Sequence, residues 1–415
     1  MALVKLFLGT TLTVLLSLSL VSSLISSQAH AEAFQRSLDL ARKLYFRLTG
    51  NALVNPVLRK SIADLVEAGK FEEAAAAATL APGFINNTIR QFSATVHNRN
   101  QSSRENGLTE SMLYFMLVAR ENRPFDDVLK GRDYPMINIA AGRPCADRQG
   151  LDRLACLDDQ RIDLSSAEIL TNSTQNRVVA SNVPAAESAG IFTMQGFGSA
   201  AYEMGSNRRA LQQTFNQLWC LSNENMKSEV ADIGYIARDV ARTSDGDQGP
   251  DGAFEKECRK CHSVLDGLRG AFAFLDAEGG KALTYSANGM PVAKYERGRE
   301  EYPDGFATRD DTWQVTFDRD PSMILKLGWP TFIGGGKGVS SFGAAVAQTE
   351  RFYTCMVEKV IDTVCPQDPN ARERGRNYIL DPNKVVPKLS ADFKKEKNLR
   401  NLFHKVAARP ECLGR

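Results

Sequence analysis

The sequence lacks a charge excess of either sign. Its 415 residues include 51 Lys and Arg against 49 Asp and Glu, which gives a formal net charge of +2. Proteins that bind nucleic acid or acidic membranes through charge carry basic residues in clear excess. We therefore expect no nucleic-acid partner.

Long hydrophobic runs are also scarce. The one long stretch is residues 6–25, which follows Lys5, is rich in Ser and Thr, and precedes Ala29-His30-Ala31. A basic start, an apolar segment and a small-x-small site are typical of a secretory signal peptide. We predict cleavage near Ala31 and a soluble mature chain that is exported to the periplasm or the cell surface. The alternative is an uncleaved membrane anchor.

Cysteine is absent before position 145, but eight cysteines follow. Two of them form a Cys-x-x-Cys-His motif, and the even number that remains indicates disulfides in an exported chain. Cys145 and Cys156 are close in sequence and flank a polar loop, so we predict a bridge between them. Three pairings stay open for the other four cysteines, which are Cys220, Cys355, Cys365 and Cys412.

The motif itself is Cys258-Arg259-Lys260-Cys261-His262. One helical turn can present two sulfurs to the two vinyl groups of a haem while the histidine reaches the iron. A zinc ribbon would need a second close cysteine pair, and a thioredoxin-like pair would need a βαβ pattern; the sequence has neither. We predict one covalent haem c, bound through Cys258, Cys261 and His262, with His262 as the iron ligand.

Few side chains are candidates for the second iron ligand. Met290, in the turn Asn288-Gly289-Met290-Pro291, is our first prediction, and Met323, in a second constrained turn, is the next. Each methionine can instead fill core space. His97 and His404 lie in helical patterns and come last. A Met ligand favours electron transfer, whereas an empty face allows ligand chemistry.

Apolar periodicity predicts a mainly α fold. We predict helices over residues 33–48, 53–66, 71–80, 108–120, 208–221, 342–364 and 390–408. Residues 143–189 are rich in Asn, Ser and Asp, which predicts a loop-rich connector. The predicted organisation is a signal peptide (1–31), a helical N-terminal domain (32–142), the connector (143–189), a cytochrome c-like haem domain (190–330) and a helical C-terminal region (331–415).

Several stretches resemble the large exported c-type cytochromes of planctomycetes and myxobacteria, whose roles are uncharacterised. The most specific is Cys258 to Gly279, which is similar to that family's haem signature at Asp266, Gly270 and Asp276. Less specific likenesses cover Arg47 to Gly50, Ala189 to Trp219, Phe352 to Cys355 and Leu399 to Cys412. The resemblance implies a single-haem domain with helical flanks.

These observations predict an exported mono-haem cytochrome that transfers one electron to or from a redox partner protein. One alternative is a haem enzyme that is peroxidase-like or activates a small ligand. A single Cys-x-x-Cys-His argues against a two-haem peroxidase. The other alternative is a surface or scaffold protein in which the haem is partly structural.

Overall fold

The computed structural model describes residues 32–97, 107–203, 205–241, 252, 254–277, 283–296, 302–365 and 382–414. The predicted signal peptide, residues 1–31, lies outside them. The fold is mainly helical, as predicted. Its helices are α1 (32–49), α2 (Pro56–Glu67), α3 (Phe71–Ala78), α4 (Arg90–His97), α5 (Glu110–Arg120), α6 (Asp127–Lys130), α7 (Gly150–Asp159), α8 (Gln195–Ala201), α9 (Arg208–Gln213), α10 (Arg259–Leu268), α11 (Pro321–Leu327), α12 (Gly338–Val346), α13 (Glu350–Val364), α14 (Pro382–Glu396), α15 (Leu399–Ala407) and α16 (Pro410–Leu413).

Strands are short and pair two by two in the part of the chain that the structure describes. The antiparallel pairs are β1 (Tyr134–Ile137) with β2 (Leu170–Ser173), β3 (Leu275–Asp276) with β4 (Thr284–Tyr285), and β5 (Thr312–Gln314) with β6 (Gly335–Lys337). The β5–β6 pair aligns Trp313 with Gly336. A Cβ atom on Gly336 would lie 2.9 Å from the Trp313 ring, so the close pairing needs a glycine there.

Helix α5 lies at the centre of the core. Thr109 caps its N-terminus by accepting a hydrogen bond from the Met112 N–H, and every residue from Glu110 to Ala119 is buried. A helix that is apolar on nearly all sides is stable only when other elements cover it. The single charge at its start, on Glu110, is neutralised by Arg177, whose Nη2 lies 2.6 Å from Oε2.

Elements from the N-terminal and C-terminal parts of the chain pack together. Phe92 of α4 meets Phe403 of α15 with ring centroids 5.7 Å apart, and Phe125 meets Phe393 of α14 at 5.2 Å. One continuous cluster of buried apolar residues runs from Ala41 to Leu413. The predicted domain boundaries remain a prediction.

Two predicted helices are each divided in the structure. The single helix predicted over 342–364 is wrong: Thr349 is extended between α12 and α13, and its hydroxyl donates to the Val346 carbonyl and accepts from Trp219 Nε1. The helix predicted over 390–408 is also wrong as one element. Lys397 has a φ of 52°, and Asn398 caps α15 by accepting from the Asn401 N–H. A change of backbone conformation therefore ends each helix where periodicity alone would continue it.

The connector, 143–189, is more ordered than predicted, since it contains α7 and β2. Leu154 and Leu157 are buried and sit three residues apart, which gives α7 one short apolar face. The predicted disulfide Cys145–Cys156 is confirmed. It joins the loop before α7 to the helix itself.

The other disulfides are the pairs Cys220–Cys355 and Cys365–Cys412. The first ties the chain after α9 to α13 across a sequence separation of 135 residues. The second ties the end of α13 to α16 across 47 residues. Among the described helices, none is both long enough and apolar enough to cross a membrane.

Candidate functional site

The Cys-x-x-Cys-His motif lies at the start of α10. A π-helical turn, Phe254–Cys258, runs directly into this helix. Because Cys258, Cys261 and His262 are spaced i, i+3 and i+4, the helix presents their side chains along one face. Cys258 is exposed, Cys261 is partly exposed and the His262 side chain is 26 % exposed. The three groups are therefore accessible together.

The second half of α10 is buried, from Ser263 to Leu268. Two glycines allow the close packing of this half and the turn that follows. A Cβ on Gly267 would lie 2.3 Å from Thr316, and one on Gly270 would lie 1.9 Å from the Thr312 carbonyl oxygen. The helix is thus fixed against β5 and the chain after it at one end, while its motif end remains accessible.

All eight cysteines lie in the described residues, and six of them form the three disulfides. The two that stay free are Cys258 and Cys261. Burial raises the pKa of the Cys261 thiol, although nearby Lys227 opposes this effect. A raised pKa keeps the Cys261 sulfur protonated near neutral pH and not in the nucleophilic thiolate form.

A buried carboxylate lies one helical turn beyond the histidine. The Asp266 side chain is fully buried, and its Oδ2 lies 3.4 Å from His262 Nδ1. Asp266 also accepts hydrogen bonds from Arg208, with Nε at 2.5 Å from Oδ1 and Nη2 at 3.0 Å from Oδ2, and from the Ala237 N–H at 2.9 Å. Burial alone would raise the pKa of Asp266, but attraction from Arg208, with His262 and Arg269 adding to it, lowers the pKa instead.

Arg208 connects Asp266 to a second carboxylate, Asp239. Arg208 Nη2 lies 2.6 Å from Asp239 Oδ1, and the buried Arg269 approaches the same oxygen at 3.2 Å. Two arginines and two aspartates thus alternate behind His262. Removing one partner from a buried ion pair costs about 3–5 kcal/mol, because the remaining charge is left uncompensated. This network therefore holds Asp266 ionised and in place.

Arg208 and Asp239 were not singled out as site residues from the sequence. The usable signal was the spacing of His262 and Asp266, which at i, i+4 on a helix places a carboxylate beside the imidazole. Arg208 and Asp239 lie 58 and 27 positions before Asp266. No local pattern connects residues at such distances.

The predicted methionine ligands lie in different settings. Met290 follows β4 in a turn in which its N–H and its carbonyl oxygen bond to Asn288 and Ser286, and the residue is 59 % exposed. Met323 is fully buried in α11, where Asp320 caps the helix. The structure thus brings Cys258, Cys261 and His262 together on one helix, whereas Met290 lies on a separate turn.

His97 ends α4, and its side chain lies outside the described residues. His404, in α15, lies with Nε2 2.7 Å from the Thr79 hydroxyl. That hydroxyl donates its proton to the Ala76 carbonyl at 2.9 Å, so His404 Nε2 must be the donor to Thr79. Burial lowers the pKa of His404 to about 4, and the Arg400 charge adds to this effect. The Nε2 of His404 is therefore engaged in this hydrogen bond.

No protein-family model, curated protein or solved structure matches this chain. Within the described ranges, no group of three or more His, Cys, Asp or Glu side chains is arranged to hold a metal ion.

Proposed function

We propose that this chain is an exported mono-haem c-type cytochrome that transfers single electrons. Its haem would be attached through Cys258 and Cys261, with His262 as the axial ligand. The observation that carries the proposal is the cysteine pairing: six cysteines form disulfides, and the two left free are those of the motif. When bound, the haem supplies a reversible one-electron couple.

The donor set fits this group. Two thiols and an imidazole lie along the accessible end of α10, and the buried end anchors the helix. His262 Nδ1 is buried and has no hydrogen-bond partner among the described residues, with the Asp266 carboxylate just beyond hydrogen-bonding distance. Histidine ligands of metals usually direct their second nitrogen at a carboxylate or carbonyl, so this arrangement is the one expected of an iron ligand.

Met290 is our proposed second iron ligand, because its exposure leaves the thioether free to bind. Met323 is enclosed in the core, which favours a packing role for that side chain. A six-coordinate iron reorganises little on electron transfer, whereas an open face would favour the haem-enzyme alternative.

Export is supported by the three disulfides, since such bonds persist in oxidising compartments. The predicted signal peptide and the resemblance to large exported c-type cytochromes of planctomycetes and myxobacteria point the same way. We propose further that the mature chain is soluble, that it lies in the periplasm or at the cell surface, and that it exchanges electrons with a redox partner protein. A surface or scaffold role with a partly structural haem is the alternative.

The test is covalent haem attachment in a host with working attachment machinery. After denaturing electrophoresis, haem staining should mark the wild-type band and should be lost in Cys258→Ala plus Cys261→Ala. The matched control is Cys145→Ala plus Cys156→Ala, which also removes two cysteines and should keep the stain. An unstained wild-type band, or a stain that survives in the motif variant, would contradict the proposal.

A further inference from the structure

His262 lies beside a carboxylate, Asp266, that is not part of the Cys-x-x-Cys-His motif. On α10 the imidazole Nδ1 points toward Asp266, and the 3.4 Å between Nδ1 and Oδ2 is a few tenths of an ångström beyond a normal hydrogen bond. The Asp266 side chain is fully buried, so no solvent competes for its oxygens. This nitrogen is buried and has no other hydrogen-bond partner among the described residues.

Asp266 cannot turn away from the histidine. Both of its oxygens accept hydrogen bonds from Arg208, and the Ala237 N–H holds Oδ2 from the adjacent segment. Arg208 is itself held by Asp239. The carboxylate is therefore fixed by contacts that do not involve the histidine, and it is present before any ligand binds.

We infer that Asp266 is a positioning residue for the iron ligand: it accepts the Nδ1 proton of His262 and thereby directs the Nε2 lone pair to the haem iron. This inference rests on the proposed function. A neutral imidazole carries one proton, so a proton held on Nδ1 leaves Nε2 as the free donor. The negative charge behind the ring also makes the imidazole a stronger electron donor, which favours the oxidised iron.

The experiment compares reduction potentials of the haem-loaded full chain. Asp266→Asn keeps the shape and removes the charge, so it should raise the midpoint potential by at least a tenfold change in the one-electron equilibrium, about 59 mV. The matched control is Asp133→Asn, which removes an arginine-paired carboxylate, bound to Arg123, outside the network that holds Asp266. It should leave the potential within a small fraction of that shift.

A second measurement uses the wild-type protein and does not depend on a variant that folds. The proton NMR spectrum of the oxidised protein should contain a slowly exchanging His262 Nδ1–H resonance. A rapidly exchanging Nδ1–H, or equal potentials for Asp266→Asn and wild type, would overturn the inference while leaving haem attachment intact. A wild-type chain that binds no haem at all would overturn the inference and the proposed function together.

Discussion

Helices α15 and α10 each carry a histidine, and the two side chains have opposite surroundings. In α15, His404 gives its Nε2 proton to Thr79, lies beside the Arg400 cation and has its pKa lowered to about 4. In α10, His262 is partly exposed and lies beside a carboxylate that arginines keep ionised. The hydrogen bond that one ring nitrogen makes decides which nitrogen remains available for other chemistry.

The largest expected effect comes from exchanging each histidine for alanine. If His262 is the iron ligand, as proposed, His262→Ala should remove that ligand and change the optical spectrum of the haem-loaded chain. His404→Ala should leave the spectrum unchanged and instead lower the free energy of unfolding. Optical spectra and urea unfolding of both variants check this contrast. An altered haem spectrum in the His404 variant would contradict the view that only His262 binds the iron.

The next largest effect is a pH dependence of the free energy of unfolding that arises from His404 in α15. His404 titrates near 6.5 in an unfolded chain and at about 4 when folded, so the unfolded state binds more protons between these values. The free energy of unfolding should therefore fall as the pH drops from about 6.5 to 4, by about 3 kcal/mol.

The control for this dependence is His404→Gln, which cannot take up the proton. The difference between wild type and variant, measured by urea unfolding at a series of pH values, removes the contribution of carboxylates common to both. A difference that stays constant from pH 7 to pH 4 would contradict the assignment of a neutral, buried His404.

The smallest expected change in the free energy of unfolding is that of Met290→Ala, which tests the second iron ligand proposed for the haem on α10. Met290→Ala should change the free energy of unfolding by less than about 0.5 kcal/mol because the side chain is exposed. If Met290 is the ligand, the same variant should lower the reduction potential and open the iron to carbon monoxide.

Met323→Ala is the matched control for methionine loss, and it should cost about 2–5 kcal/mol because the side chain is fully buried. Its effect on the potential should be small. An unchanged potential in Met290→Ala would move the search for the ligand to Met323 and then to the histidines. Rapid carbon monoxide binding by the reduced wild-type protein would favour the haem-enzyme alternative.

Periodicity predicted the fold class and most helices, because an apolar stripe reports the need for burial directly. It failed at Thr349, where the backbone becomes extended, and at Lys397, where φ is positive, because neither change interrupts the apolar pattern. Tertiary partners such as Trp219, 130 residues away from Thr349, determine these breaks. The sequence pattern alone does not indicate contacts between residues so far apart in the chain.

The candidate site could also be predicted only in part. The motif residues could be identified because haem attachment requires a fixed local spacing. The Cys145–Cys156 bridge could be predicted because its two ends are close in sequence. Arg208 and Asp239 were not identified, because they reach Asp266 and Arg269 only through the fold. The pairing of the other four cysteines needed the packing of α13 against its neighbours.

The Cys220–Cys355 disulfide has a consequence for how the protein matures. Cys258 and Cys261 lie between its two ends in the sequence, so the motif is enclosed in the loop that this bond closes. Eight cysteines can form four bonds in 105 ways, and every one of these complete pairings uses both motif thiols. If the chain is exported and binds haem as proposed, thiol oxidation and haem attachment would compete for the same two sulfurs. Correct maturation would then depend on the timing of those two events as much as on the final stability of the fold.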